Sequence, residues 1–141
     1  MTKAELFDFL SARKLGVLGY LSKQGTPRAA LVGIAVTPQL EIIFDTVSSS
    51  RKYGDLLANP SASFVVGWES EATVQYEGQA FQPTGTELVR YQQVYFAAWP
   101  ECRDHLSWPG IAYFVVRPRW IRYSDFEQNP PAITEISMRV L

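Results

Sequence analysis

Apolar positions along the chain change their period several times, and each change marks an element. Leu6, Phe9, Leu10 and Arg13 recur at helical spacing, predicting a helix over Lys3–Leu15 with one packed stripe and one wet one. Thr2 and Glu5 have the spacing of a reciprocal amino-terminal cap, and Gly16 ends the run. Val17–Ser22 reads as a strand, Lys23-Gln24-Gly25-Thr26 as a turn, and Arg28–Val36 as a second strand. Within it, Ala29 to Val36 is small and apolar almost throughout. That predicts burial on both faces, or a ligand or second subunit against one of them. Thr37-Pro38-Gln39 turns the chain into a strand over Leu40–Thr46, so two successive hairpins predict an antiparallel meander.

The second half continues in the same manner. A short helix over Arg51–Ala58 ends at Asn59-Pro60, because the residue before proline is pushed out of helical backbone. Strands follow at Ser61–Trp68 and Ala72–Phe81, the latter with Val74, Tyr76 and Gly78 alternating against Gln75, Glu77 and Gln79. Leu88, Tyr91, Tyr95 and Ala98 form the stripe of a third helix, Thr86–Ala98, stopped by Trp99-Pro100. Glu101–Pro109 reads as a loop. Ile111–Val116 and Trp120–Tyr123 read as two strands joined tightly at Arg117-Pro118-Arg119. The tail, Ser124–Leu141, has no resolvable period. About seven strands, three short helices and tight turns predict a mainly β, α+β fold: a closed or half-open antiparallel barrel.

One local rule is broken. Arg51 and Lys52 fall in the first turn of the Arg51–Ala58 helix, where the backbone already carries about half a positive charge. An anion would resolve the conflict by drawing free N–H groups, the hydroxyls of Ser48, Ser49 and Ser50, and two cations to one point. The alternative is two solvated surface cations after a serine loop.

Composition narrows the function. A chain of 141 residues predicts one domain over 1–141, and 47% hydrophobic with 19% charged residues is a globular balance. A net charge of −1 gives no basic excess for general nucleic-acid binding. No apolar run approaches a membrane span, and no leader pattern is evident, so the cytoplasm is the expected compartment. A single cysteine, Cys102, and a single histidine, His105, exclude an intrachain disulfide and a histidine-rich metal site. The spacing of Cys102, Asp104 and His105 matches no common metal site, and they read as loop residues; no metal is expected. Trp68, Trp99, Trp108 and Trp120 read first as core or interface aromatics, and Glu77 and Glu87 are not paired for acid–base work.

The order of several short motifs resembles a known family. These are Phe44-Asp45-Thr46, Ser50-Arg51-Lys52, Leu56-Leu57-Ala58-Asn59-Pro60, Trp68 and Tyr76-Glu77-Gly78. Over roughly residues 10 to 124 the chain is similar to the FMN-binding split β-barrels of the pyridoxamine 5′-phosphate oxidase-like proteins. The resemblance implies a homodimer with FMN in clefts between the subunits and a small-molecule substrate. It implies that Ser50, Arg51 and Lys52 hold the flavin phosphate with Thr46 beside them. It also implies that Ala29, Ala30, Leu31 and Val32 supply backbone groups to the ring edge. The oxidases carry two further cations on the second strand; the matching positions here are the uncharged Ala30 and Ala35, and Arg28 is out of register with them. Their arginine-rich carboxyl-terminal segment has no match, Arg139 being isolated, so pyridoxamine phosphate is not the expected substrate. Two classes fit: an FMN-dependent oxidoreductase, in which the flavin supplies the chemistry, and a non-catalytic dimer that binds or senses flavin or has lost it.

Overall fold

The computed structural model describes residues 1–138, so Arg139, named above, lies outside the described residues. Helix α1 spans Lys3–Ser11, and the Thr2 hydroxyl accepts from the Glu5 N–H, as the capping spacing predicts. The strands are β1 (Leu15–Leu21), β2 (Pro27–Gly33), β3 (Ala35–Val36), β4 (Ile42–Val47), β5 (Ser61–Val66), β6 (Ala72–Phe81), β7 (Ile111–Asp125) and β8 (Ala132–Ser137). Helix α2 is Arg51–Ala58 and α3 is Gly85–Ala98. No helix among the described residues is long and apolar enough to cross a membrane.

All strand pairings are antiparallel, in the order β2-β1-β5-β6-β7-β4-β3, with β8 on the outer half of β7. This is the split barrel. Leu18, Tyr20, Phe44, Phe64, Tyr76 and Phe114 fill its interior, and Leu6 and Leu10 of α1 join that core. A second cluster lies outside it, where Tyr91, Tyr95 and Phe96 of α3 cover Ile43, Tyr113 and Val115. The runs Ile42-Ile43-Phe44 and Ala112 to Val116 are therefore the ones buried on both faces.

The expected meander is broken at Ile34. The chain leaves β1 as β2, bends, and pairs with β4 only as β3; the barrel is split between these two ends. The end of α3 holds the bend. Trp99 Nε1–H donates to the Ile34 carbonyl at 2.9 Å, and its ring lies where a side chain on Gly33 would sit. β2 is consequently not buried on both faces: Leu31 is 60% exposed and Ala29 is also exposed.

The two strands predicted at Ile111–Val116 and Trp120–Tyr123 are one continuous β7. The register shift between Glu77 and Gly78 pairs them with Trp120 and Pro118, so Arg119 is the extra residue of a bulge. Gly78 permits this approach; a Cβ there would collide with the Arg117 carbonyl oxygen. Bulges accommodate a proline, which has no N–H for the ladder. The tail supplies β8, which pairs from Ala132–Asp125 to Ser137–Trp120.

Tyr76 ties the barrel together. Its hydroxyl lies 2.7 Å from the carbonyl of Leu40, a residue held at φ 66°, and 2.9 Å from that of Val116. Burial, with the Glu41 charge second, pushes its hydroxyl well above the ordinary range. Tyr113 is pushed up to about 12 by burial, then by Asp45 and Cys102. A raised folded-state value gives stability that is complete below the unfolded value of 10 and lost as pH rises through the folded one. Urea midpoints should therefore fall between pH 10 and 12, with phenolate absorbance appearing together with unfolding. Full ionisation near pH 10 with the fold intact would contradict these assignments.

Candidate functional site

Strand β4 ends at Val47, and three serines carry the chain into α2. The Ser48 N–H donates to Gly110 and the Ser50 N–H to the Val47 carbonyl, fixing this turn. Ser50 is the N-cap residue, yet its side chain does not cap the helix; its oxygen lies 2.8 Å from Thr46 Oγ1. The first turn of α2 contains no acidic residue, and Arg51 and Lys52 form no ion pair among the described residues. Helix-end N–H groups, two hydroxyls and the Lys52 cation thus stand at one corner, with the exposed Arg51 next to them in the first turn.

That corner opens on a cleft of about 300 Å³ between β2 and β4. Leu31, Val32 and Gly33 form one wall, Asp45, Thr46 and Val47 the other; Ser50 and Lys52 stand at one end, with Trp108 and Ile111 also lining it. β2 is an edge strand paired only with β1, so part of its backbone has no ladder partner and faces the split. Of the residues singled out from sequence, Thr46, Ser50, Lys52, Leu31 and Val32 line this cleft. Arg51 is exposed beside it, whereas Ala29 and Ala30 lie farther along β2, outside the lining.

The neutral positions on the second strand have structural roles. Ala35 is buried under α3, and Ala30 packs against the barrel core. Arg28 is committed elsewhere: its Nη1 lies 2.7 Å from Oδ2 of Asp55, a residue 5% exposed on the inner side of α2. This pair fastens β2 to α2. Sequence spacing did not reveal it, because 27 positions separate the partners.

A second group stands behind the cleft. Residues Pro100–Ser107 form a 3₁₀ helix, η1, and not the expected loop. Three residues per turn bring Cys102 and His105 onto one face. His105 Nδ1 lies 2.7 Å from Asp45 Oδ2, and the Tyr95 hydroxyl donates to Asp45 Oδ1 at 3.3 Å. Trp108 stacks on the His105 ring at 3.7 Å, and with Trp68 it is about half exposed, so neither is a core residue. Burial, then the charges of Asp45 and Glu101, pushes the Cys102 thiol up, which makes it a poor nucleophile. Burial and Asp45 raise Tyr95 in the same way. Asp104, grouped with Cys102 and His105 from sequence, is exposed and not among them; Asp45 takes that place.

Comparison with known proteins settles the family. The family model of pyridoxamine 5′-phosphate oxidase matches residues 2–125, most of the chain. The chain belongs to this family. No match was found among curated proteins. Solved structures of other proteins share the split barrel at low identity. A heme-binding protein from Mycobacterium smegmatis superposes with a TM-score of 0.82 at 19% identity, covering 97% of this chain, which spans only 58% of that one. A pyridoxamine 5′-phosphate oxidase-related, FMN-binding protein from Nostoc punctiforme gives 0.67 at 11% identity, covering 98% and 93% of the two chains. A heme storage protein from Vibrio cholerae gives 0.67 at 18%, covering 81% and 87%. At such identities the likeness is one of fold, and the ligands named for these three proteins differ.

Proposed function

We propose that this protein is an FMN-binding flavoprotein acting as an oxidoreductase on a small molecule. The observation carrying this reading is the uncapped, cation-bearing start of α2 opening on the β2–β4 cleft. The donor set fits a phosphate: Ser50 and Thr46 hydroxyls, the α2 N–H groups, Arg51 and Lys52 would hold it. The Leu31–Gly33 backbone would meet the polar edge of a flat ring, and Asp45 and Trp108 would bound it. Bound FMN supplies hydride or electron transfer; the chain's residues orient it and limit water access.

The site is completed by a second copy of the chain. On the outer face of the sheet, Leu31 pairs with Val17 and Val17 with Val65, a cross-strand apolar row in which Leu31 is 60% and Val65 42% exposed. Ala29, Gly19 and Ser63 form the next row and keep the face flat. Leu31 belongs both to this face and to the cleft wall, so a partner seated here would cover the cofactor.

The test is reconstitution. Stripped protein mixed with FMN, and separately with haemin, should take up one flavin per chain, turn yellow and sediment as a dimer. Anaerobic NADH or NADPH should then bleach the flavin. A Soret band from haemin without flavin uptake, or a monomer at micromolar concentration, overturns the reading.

A further inference from the structure

We propose that Asp45, Cys102 and His105 form a binding site for a divalent transition-metal ion of the zinc class. The three residues come from two elements that the fold locks together. Asp45 is on β4; Cys102 and His105 lie one turn apart on η1. One ligand atom from each lies within 4.8 Å of the other two. On a tetrahedral zinc ion, oxygen, nitrogen and sulfur ligands stand roughly 3.3–3.6 Å apart, given their usual bond lengths. Metal binding would open the 2.7 Å Asp45–His105 contact and draw Cys102 inward by about an ångström on the short η1. Carboxylate, imidazole and thiolate together suit a borderline-soft cation and not calcium or magnesium.

The surroundings are those of a prepared site. Tyr95 donates to Asp45 Oδ1, an outer hydrogen bond of the kind that orients metal ligands. Trp108 stacks on His105 and fixes its ring plane. Tyr113, on the strand paired with β4, is 4% exposed, and its hydroxyl has no hydrogen-bond partner among the described residues. Tyr113 is the cross-strand partner of Asp45 and shares a buried cluster with Cys102. An ion-bound water would give it a partner. Coordination sends the Cys102 thiol proton to solvent. The ion's two positive charges then balance one carboxylate and one thiolate. Three protein ligands leave a fourth tetrahedral position for water or a ligand from the cleft, which Asp45 also lines.

Cobalt provides the test, and it requires neither flavin nor activity. Full-length protein, cleared with a chelator and then dialysed, is titrated with Co²⁺. The expected result is one ion per chain at micromolar concentration, with thiolate-to-cobalt charge transfer in the near-ultraviolet and intense d–d bands, both bleached by Zn²⁺. Cys102→Ser should abolish the charge-transfer band. His105→Gln, at a half-buried position, should weaken zinc at least tenfold with unchanged circular dichroism. Tyr95→Phe should weaken it by about tenfold or more through the outer hydrogen bond. A cluster that only pins η1 to β4 gives no saturable cobalt band, or one indifferent to Cys102→Ser, and either result overturns the proposal. Flavin uptake is read separately, so failure here leaves the flavin reading standing.

Discussion

Replacing Arg51 and Lys52 together with alanine should lower FMN affinity by about 100-fold, while riboflavin affinity and the urea midpoint should stay in place. On the proposed reading each side chain would contribute a charge-assisted hydrogen bond of ~1.5–3 kcal/mol to a dianion. Arg51 is exposed and Lys52 only half-buried, so the low end of that range applies to both. Together they give about 3 kcal/mol, and each 1.4 kcal/mol is tenfold in a dissociation constant. Riboflavin has no phosphate and is the internal control. Neither residue has an ion-pair partner among the described residues, so removing them strands no buried charge. Fluorescence titration of both flavins against wild type and double variant measures the difference. Equal FMN affinities would remove the phosphate from the start of α2.

The second large effect concerns stability. Arg28→Ala is expected to cost ~3–5 kcal/mol, because it leaves the Asp55 carboxylate buried without its partner. Asp55→Ala should cost less: the Arg28 side chain is 26% exposed and can turn toward water. Urea unfolding of both variants and of the double variant closes a thermodynamic cycle. The double variant should be more stable than Arg28→Ala alone, since no unpaired charge then remains. A loss below ~1 kcal/mol for Arg28→Ala would mean the pair behaves as an ordinary surface contact.

Much of the architecture was legible because it is local. Period changes located α1 and the extent of β6, and Asn59-Pro60 marked the end of α2, since these signals depend on residues within a few positions; α1 ends at Ser11 and not Leu15, because Leu15 and Gly16 already pair in β1. The single strand β7 was missed because Pro118 signals a break, and only the bulge opposite Gly78 removes that signal. The bend at Ile34 was missed because its cause, Trp99, lies 65 residues away. The η1 cluster was hidden by period: a three-residue turn aligns Cys102 with His105, a relation invisible when the segment reads as a loop.

By itself the sequence determined the antiparallel barrel, the capped first helix and the misplaced cations opening α2, because each depends on neighbours along the chain. Only the tertiary structure decided that Arg28 serves Asp55 and not a ligand, that Ala35 lies under α3, and that Asp45 joins His105 across the cleft wall. Those pairings link residues tens of positions apart. They exist because closing the sheet brings β4 against η1 and β2 against α2, and no local pattern of polar and apolar positions encodes which distant side chain fills a given vacancy.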